Sequence, residues 1–194
     1  MALSFVVFDV GETLVDETAM WERAADSAGV PRFTLMGVLG GLAARGEQHT
    51  RVWEILGVER PQGAPYARTS LYPDAEPCLR RLRDRYRLGL AGNASREAYA
   101  RLGVEVDFIA NSTVWGIEKP EPAFFDRVAE TCGCAPEEIA YVGDRVDNDV
   151  VPARAAGMLA VHLRRGPWGY LHDAPAGTPT IDSLAELPGV LERA

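Results

Sequence analysis

Residues Leu3–Leu14 read LSFVVFDVGETL, and this stretch sets the expected fold of the chain. The segment Leu3–Phe8 is almost wholly apolar and rich in β-branched and aromatic side chains, which is typical of a strand buried on both faces of a sheet. The run stops at Asp9, which Val10 and Gly11 follow. We therefore predict a buried parallel strand that delivers a carboxylate at its C-terminal end.

Similar units recur along the chain and favour a parallel sheet. Further apolar, β-rich runs are Tyr86–Ala91, Val106–Ala110, Ile139–Val142 and Leu159–Leu163. Amphipathic, helix-like segments lie between them at Asp74–Arg85, Ser95–Leu102, Pro122–Thr131 and Asp149–Ala156. The C-terminal tail is predicted to add a short strand and a final helix. Strands that alternate with helices indicate an α/β fold, with a Rossmann-like parallel sheet and helices on both of its faces.

One connection has no strand pattern. Between Val15 and Tyr72 the chain shows only amphipathic helical stretches, at Glu17–Ser27, Phe33–Ala44 and Glu47–Leu56. The segment Glu59–Pro73 is predicted to return the chain to the sheet. We therefore predict a core domain of residues 1–15 and 73–194, and a small α-helical cap of residues 16–72 over the C-terminal edge of the sheet.

Composition limits the classes of function and of partner. The chain has 194 residues, and its net charge of −8 argues against a nucleic-acid partner. No run approaches the roughly 18 apolar residues of a membrane span, and we expect no signal peptide. The cysteines, Cys78, Cys132 and Cys134, lack the second pair that a zinc site needs. We expect reduced thiols in a cytoplasmic protein that is a monomer or a homodimer.

Polar residues follow the predicted strands and should share one edge of the sheet. Asp9, Gly92-Asn93 and Asp144 each come directly after a strand, and ligands of open α/β sheets bind beyond these carboxyl ends. The loop that carries Lys119 can reach the same edge. Crowded carboxylates repel one another, and Mg²⁺ binds such oxygen ligands together with substrate phosphate. The pattern therefore favours a magnesium and phosphate site.

Lys119 is the only lysine in the chain, which otherwise uses arginine for positive charge. An ammonium is a compact point charge with three rotatable donors, so one lysine can serve a carboxylate and a phosphate oxygen together. The planar fork of arginine is larger and aimed differently. We interpret Lys119 as a residue of the site, against the alternative of an ordinary lysine in a surface loop.

The chain resembles the haloacid dehalogenase superfamily, in its phosphatase-rich branch with a helical cap after the first strand. Four blocks of sequence carry the resemblance across about 150 residues. They are FDVGETL (Phe8–Leu14), LGLAGNAS (Leu88–Ser95), GIEKPEPAFF (Gly116–Phe125) and YVGDRVDNDVVPARAAGM (Tyr141–Met158). They are similar to the family's nucleophile loop, its second strand, its lysine block and its acidic block, and they occur in the family's order.

The resemblance implies roles for individual residues. Asp9 would attack phosphorus and form an aspartyl-phosphate. Mg²⁺ would bind Asp9, the carbonyl of Gly11 and Asp144, and Lys119 would hold Asp9 and the phosphoryl oxygens. Asp149 would orient Lys119 or a metal-bound water, with Asp147 as the alternative candidate. Backbone N–H groups at Val10, Gly11 and Asn93 would cradle the phosphate.

Two glycines depart from the family pattern. Gly11 stands where these phosphatases usually carry a second Asp, the general acid, and Gly92 stands where they carry a Ser or Thr that binds phosphate. General acid–base help typically contributes about 10²–10⁴-fold in rate. Glu12 is close enough in sequence to act as the acid instead. We therefore expect a slow or leaving-group-selective phosphatase.

Three functions compete at this point. The first is a magnesium-dependent phosphatase acting on a small phosphorylated metabolite. The second is a protein that binds phosphorylated ligands with little turnover, and the third is a 2-haloacid dehalogenase, which uses its Asp without a metal. His49, His162 and His172 are predicted to be surface or strand-packing residues. The stretch Arg164–Tyr170 is predicted to be a loop with its aromatic side chains folded onto the core, the alternative being a grip for an anionic substrate.

Overall fold

The sheet of this computed structural model is parallel throughout, and it follows from the alternating pattern of the sequence. The structure describes residues 2–61, 70–94, 98–99 and 101–194. In these residues the sheet has six strands in the order β3-β2-β1-β4-β5-β6. They are β1 (Phe5–Phe8), β2 (Arg87–Gly92), β3 (Phe108–Asn111), β4 (Ile139–Gly143), β5 (Leu159–Leu163) and β6 (Thr180–Ile181).

The strand order has a switch point between β1 and β4. From β1 the chain adds β2 and β3 on one side, then crosses back to add β4, β5 and β6 on the other. Phe8 pairs with Val142 across this point, so the residues that follow the two strands emerge side by side. Ligands of open α/β sheets bind at such a crevice.

Helices cover the connections between the strands. They are α1 (Thr18–Ala28), α2 (Arg32–Ala44), α3 (Arg51–Leu56), α4 (Ala75–Leu82), α5 (Ser112–Trp115), α6 (Pro122–Cys132), α7 (Val151–Ala155), α8 (Gly166–Leu171) and α9 (Leu187–Leu191). Shorter turns are the 3₁₀ segments Pro136–Glu138 and Leu184–Glu186 and a π-helical turn at Val146–Val150. No helix of the described residues is long and apolar enough to cross a membrane.

Side chains of β1 alternate between two hydrophobic clusters, one on each face of the sheet. Val6 and Phe8 lie in a cluster with buried residues of α4 and α9. Phe5 and Val7 lie in the opposite cluster, with Phe124 of α6 among others. Because successive side chains of a strand point to opposite faces, a strand covered on both faces needs the continuous apolar run that the sequence shows.

The helices α1, α2 and α3, called the helical insert from here on, have a hydrophobic cluster of their own. It includes Leu35, Leu39 and Trp53, and it takes in Trp168 of α8 from the sheet side. The insert follows β1 as predicted, and α4 then leads into β2. The division into a core of residues 1–15 and 73–194 and a cap of residues 16–72 stays a prediction.

The α/β fold class predicted from the sequence is confirmed, with strand ends shifted by one or two residues. The predicted helix Ser95–Leu102 lies partly outside the described residues, as does the returning segment Glu59–Pro73. The predicted helix Asp149–Ala156 was wrong at its start, because a π-helical turn precedes α7. That turn carries the acidic block, and its wider winding positions Asp149.

Candidate active site

Two carboxylates meet at the switch point of the sheet. Asp9 directly follows β1, and its backbone N–H donates to the carbonyl of Val142 in β4 at 2.9 Å. Asp144 directly follows β4, and both side chains are buried. His162 of β5 packs behind them, with its Nε2 3.1 Å from the backbone carbonyl oxygen of Asp144. The sequence predicted a surface or a strand-packing residue at His162, and the buried position agrees with the second of these.

Asp149 joins these carboxylates through the π-helical turn. The backbone N–H of Arg145 donates to Asp149 Oδ2 at 3.0 Å, which fixes the side chain toward the sheet. A Cβ added to Gly143 would lie 2.4 Å from Asp149 Cγ, so only glycine at the end of β4 permits this approach. Asp147 instead pairs with Arg145 at the surface. Of the two candidates, the structure brings Asp149 into the cluster.

Lys119 lies between the carboxylates and contacts two of them. Its Nζ is 2.6 Å from Asp9 Oδ1 and 2.5 Å from Asp149 Oδ1, and the residue is only 4% exposed. Burial alone would lower the pKa of Lys119, but the charges of Asp149 and Asp9 raise it well above its ordinary value. The lysine is therefore a buried ammonium, and it is not a residue of a surface loop.

Asn93 holds the backbone of the lysine loop. Its side-chain amide donates to the carbonyl of Lys119 at 2.8 Å, and its side-chain oxygen accepts from the N–H of Lys119 at 2.8 Å. The sequence suggested only a backbone role for Asn93, so this function of its side chain was missed. The family-like Asn after the second strand was the available signal.

The carboxylate cluster suits a divalent cation. One oxygen from each of Asp9, Asp144 and Asp149 can be chosen so that all three lie within 4.8 Å of one another. Burial, with the charges of Asp149 and Asp9, raises the pKa of Asp144 well above its ordinary value. Burial also raises the pKa of Asp149, to about 6, although Lys119 opposes this. Three buried carboxylates face one ammonium, and the excess negative charge and oxygen donors fit Mg²⁺.

The loop after Asp9 has a strained backbone at Glu12. Glu12 has a φ of 49°, whereas Gly11 is not among the described glycines with positive φ. The Glu12 carboxylate accepts from the N–H of Glu17 at 2.9 Å and from the hydroxyl of Tyr72 at 2.6 Å. Burial raises the pKa of Glu12. Glu12 therefore links the loop after Asp9 to Glu17, which directly precedes α1, and to Tyr72, which shortly precedes α4.

A cavity of about 580 Å³ opens above these groups. The predicted site residues that line it are Asp9, Gly11, Asn93, Lys119, Asp144 and Asp149. Gly92, the last residue of β2, is buried behind Asp9, and neither it nor Val10 lines the cavity. Cradling of phosphate by the backbone N–H groups of Val10, Gly11 and Asn93 stays a prediction.

The sequence offered a ligand-facing role for Arg164–Tyr170 only as the alternative, and it offered none for His49. His49, predicted as a surface or packing residue, lines the cavity between Trp21 and Trp168, with ring centroids 5.8 and 6.3 Å away. Burial lowers the pKa of His49 to about 4. The stretch Arg164–Tyr170, predicted as a loop, contains most of the helix α8 and contributes to the wall. Single aromatic residues in amphipathic helices gave no sign of this role.

Comparison with known proteins agrees with this geometry. Residues 4–157 match the family model of haloacid dehalogenase-like hydrolases. A glyceraldehyde 3-phosphate phosphatase of Methanopyrus kandleri is 41% identical over 104 residues, covering 50% of the chain and 45% of that relative. The chain thus spans less than half the length of this relative.

Two further likenesses extend over nearly the whole chain. A phosphoglycolate phosphatase of Nitrosococcus oceani is 30% identical over 229 residues, covering 97% of the chain and 96% of that relative. A 2-haloacid dehalogenase of Pseudomonas syringae has the same fold, with a TM-score of 0.65, 23% identity and coverage of 98% and 99%. The family model spans the nucleophile loop, the lysine block and the acidic block, and the relatives share the fold that assembles them, so the chain belongs to the haloacid dehalogenase-like hydrolases.

Proposed function

We propose that the protein is a magnesium-dependent phosphatase that acts on a small phosphorylated metabolite. The observation that carries the proposal is the position of Lys119, whose buried ammonium lies within 2.6 Å of Asp9 and 2.5 Å of Asp149 while Asp144 lies beside them. A buried ammonium that neutralises part of a carboxylate cluster leaves room for one cation and for a phosphoryl group. The phosphatase relatives support the same reaction class.

The chain's own residues supply the chemistry in two displacements. An Asp9 carboxylate oxygen attacks phosphorus, the bond from phosphorus to the ester oxygen breaks, and an aspartyl-phosphate forms. Water then attacks phosphorus, the bond to the Asp9 oxygen breaks, and inorganic phosphate is released. Lys119 holds Asp9 in place and offsets negative charge on the phosphoryl oxygens in both steps.

Asp9, Asp144 and the carbonyl of Gly11 would hold Mg²⁺, which when bound offsets charge on the phosphoryl group and orients it. The fit rests on the donor set. The Asp144 side chain is buried at the end of β4 and lines the cavity, so its carboxylate oxygens can bind a cation there. Both Asp149 oxygens are engaged, one by Lys119 and one by the N–H of Arg145, so Asp149 acts on the metal through Lys119 or a water.

The position of Gly11 sets the limit on rate. Glycine has no side-chain acid that could donate a proton, so an alkoxide leaving group must take its proton from solvent or from another group. The conjugate base of a more acidic alcohol, such as a phenol, can leave without being protonated by an enzyme side chain. The proposed enzyme is therefore selective for good leaving groups.

A colorimetric assay tests the function against its two alternatives. With an aryl phosphate, we expect release of phosphate that depends on Mg²⁺ and is lost with a chelator. Binding of inorganic phosphate without any release would favour the phospho-ligand-binding protein. Release of halide from a 2-haloacid without metal would favour the dehalogenase, which the carboxylate cluster argues against.

A further inference from the structure

The side chains that line the cavity away from the carboxylate cluster determine which organic group of a phosphate ester can bind. The aromatic and apolar part of the cavity lining, called the aromatic wall here, consists of Trp21, Met36, Leu39, Trp168 and Tyr170. Trp21 stacks on Trp53 with ring centroids 6.3 Å apart, and the guanidinium of Arg145 lies 5.0 Å from the ring centroid of Trp168. Neighbouring side chains therefore fix the rings of Trp21 and Trp168, and the aromatic wall offers apolar surface to a ligand.

Charges around the cavity disfavour a carboxylate in the ligand. Besides Lys119, the cations that line it in the described part of the chain are Arg145 and Arg165. Arg145 pairs with Asp147 at 2.6 Å, and Arg165 pairs with Asp74 at 2.6 Å. Acidic side chains also line the cavity, namely Asp9, Glu12, Glu17, Asp144 and Asp149. A second anionic group on the ligand would face this negative charge, and each arginine that lines the cavity in the described residues already pairs with an aspartate.

From these observations, and resting on the proposed phosphatase function, we infer that the substrate is a phosphomonoester with an uncharged aromatic or similarly apolar organic group. A cavity of about 580 Å³ is large for an ester of two or three carbons and falls in the range of sites for drug-sized ligands. The phosphoryl group would lie at Asp9 and Lys119, and the ring would lie against Trp21 and Trp168.

Three substrates that all release a primary alcohol test this substrate class: benzyl phosphate, ethyl phosphate and phosphoglycolate. We expect kcat/KM for benzyl phosphate to exceed that of each of the others at least about tenfold, because a buried ring adds apolar contact. Trp21→Ala should lower the ratio of benzyl to ethyl phosphate. Phe33→Ala, which removes a 90% exposed ring of the same insert outside the cavity, should leave the ratio unchanged.

Equal kcat/KM for benzyl and ethyl phosphate, or a preference for phosphoglycolate, would overturn the inference. If neither these three esters nor an aryl phosphate releases phosphate, the proposed function fails, and calorimetry with the three esters still decides the inference. Tighter binding of benzyl phosphate than of ethyl phosphate, weakened by Trp21→Ala, would support it. Equal binding would overturn it.

A separate observation concerns the space beside Gly92. A Cβ added to this residue would lie 2.6 Å from Asp9 Oδ1 and 2.6 Å from the hydroxyl oxygen of Tyr99, closer than real Cβ atoms come to their neighbours. The Tyr99 hydroxyl thus lies at the end of β2, where the side chain of a Ser or Thr would otherwise begin. Gly92 and Tyr99 are complementary, because the glycine leaves the space that the hydroxyl occupies.

Tyr99 has the chemistry of a phosphate donor. Its ring belongs to the buried cluster on one face of the sheet and is 3% exposed, while the residue also lines the cavity. Burial, and then the charge of Asp9, raise the pKa of Tyr99, so the phenol keeps its proton. We propose that the Tyr99 hydroxyl binds a phosphoryl oxygen in place of the hydroxyl that Gly92 lacks.

The substitution Tyr99→Phe keeps the ring and removes only this hydroxyl. We expect KM for an aryl phosphate, and the dissociation constant of inorganic phosphate, to rise about tenfold or more, since a hydrogen bond to a charged group is lost. The melting temperature should change little. Tyr86→Phe, which removes a hydroxyl from a tyrosine outside the cavity, serves as the control.

Unchanged phosphate affinity in Tyr99→Phe would overturn this proposal, as would a wild-type protein that binds no phosphate. A wild type that binds phosphate without turnover would defeat only the proposed function, and weaker binding by Tyr99→Phe would still support the role of the hydroxyl. Gly92→Ser gives a second measurement. It should weaken phosphate binding, because the new Cβ displaces Asp9 or Tyr99, whereas stronger binding would contradict the proposal.

Discussion

Asn93 grips the peptide of Lys119 on both sides, donating to its carbonyl and accepting from its N–H, each at 2.8 Å. Asn93, which directly follows β2, thereby fixes the backbone position from which the Lys119 side chain reaches the carboxylate cluster. Asn93→Ala should lower kcat for an aryl phosphate about tenfold with a smaller effect on KM, since both bonds are lost and the ammonium shifts. Steady-state kinetics measure this split. An unchanged kcat would show that the lysine loop holds its position without Asn93.

The charge of Lys119 can be kept while its shape is changed. Lys119→Arg should reduce kcat/KM at least about tenfold, because a planar guanidinium cannot replace an ammonium buried between Asp9 and Asp149. The reverse exchange Arg127→Lys alters an exposed ion pair and should leave the kinetics as they are. Equal kinetics for wild type and Lys119→Arg would remove the lysine from the mechanism.

Asp9→Asn tests the nucleophile directly. A neutral amide neither attacks phosphorus nor balances Lys119, so turnover should be abolished while circular dichroism shows a folded chain. Asp126→Asn, a change at an exposed position of α6, is the matched control. Residual activity above a few per cent in a clean preparation would assign the attack to another group.

Binding of Mg²⁺ should raise the melting temperature of the protein. Crowding of Asp9, Asp144 and Asp149 disfavours the metal-free fold, so Mg²⁺ should raise the melting temperature. Asp144→Asn removes one negative charge and should stabilise the metal-free protein while abolishing the magnesium-dependent rise. Asp147→Asn, at the surface beside Arg145, should retain the rise. A full rise in Asp144→Asn would show that the cation binds elsewhere.

The missing acid at Gly11 predicts a steep dependence on the leaving group. Wild-type protein should hydrolyse aryl or acyl phosphates far better than alkyl phosphates, and Gly11→Asp should raise kcat most for the alkyl esters. The positive φ of this loop lies at Glu12, which removes one reason to expect strain at Gly11. The melting temperature of the variant is checked first. Ordinary alkyl-phosphate rates in the wild type would mean that another residue donates the proton.

The sequence was informative where function depends on the ends of strands. Apolar runs predict buried strands, and residues after parallel strands share one edge, which placed Asp9, Asn93 and Asp144 correctly without coordinates. The sequence block around Lys119 and its uniqueness predicted a position at the same edge, and the structure places it there, while its role stays a prediction. These inferences succeeded because strand topology turns positions along the chain into positions in space.

Contacts made by side chains across long separations could not be predicted in this way. Glu12 meets Tyr72 sixty positions later, and Trp168 packs into the cluster of the helical insert. Such pairs depend on how the insert and the sheet pack together, and periodicity carries no information on that packing. The Tyr99 hydroxyl lies beside Gly92, only seven positions away, and the local motif gave no sign of this contact either.

Because the chain has a single lysine, chemical labelling of that lysine can report transient opening of the active site. Because Lys119 is the only side-chain amine and is 4% exposed, a reagent that acylates amines can reach that side chain only when the active site opens or the fold is lost. Mass spectrometry of peptides containing Lys119 would therefore give the rate of such openings without an added probe. Ligands that close the site should slow the acylation in proportion to their occupancy, even if they are never turned over.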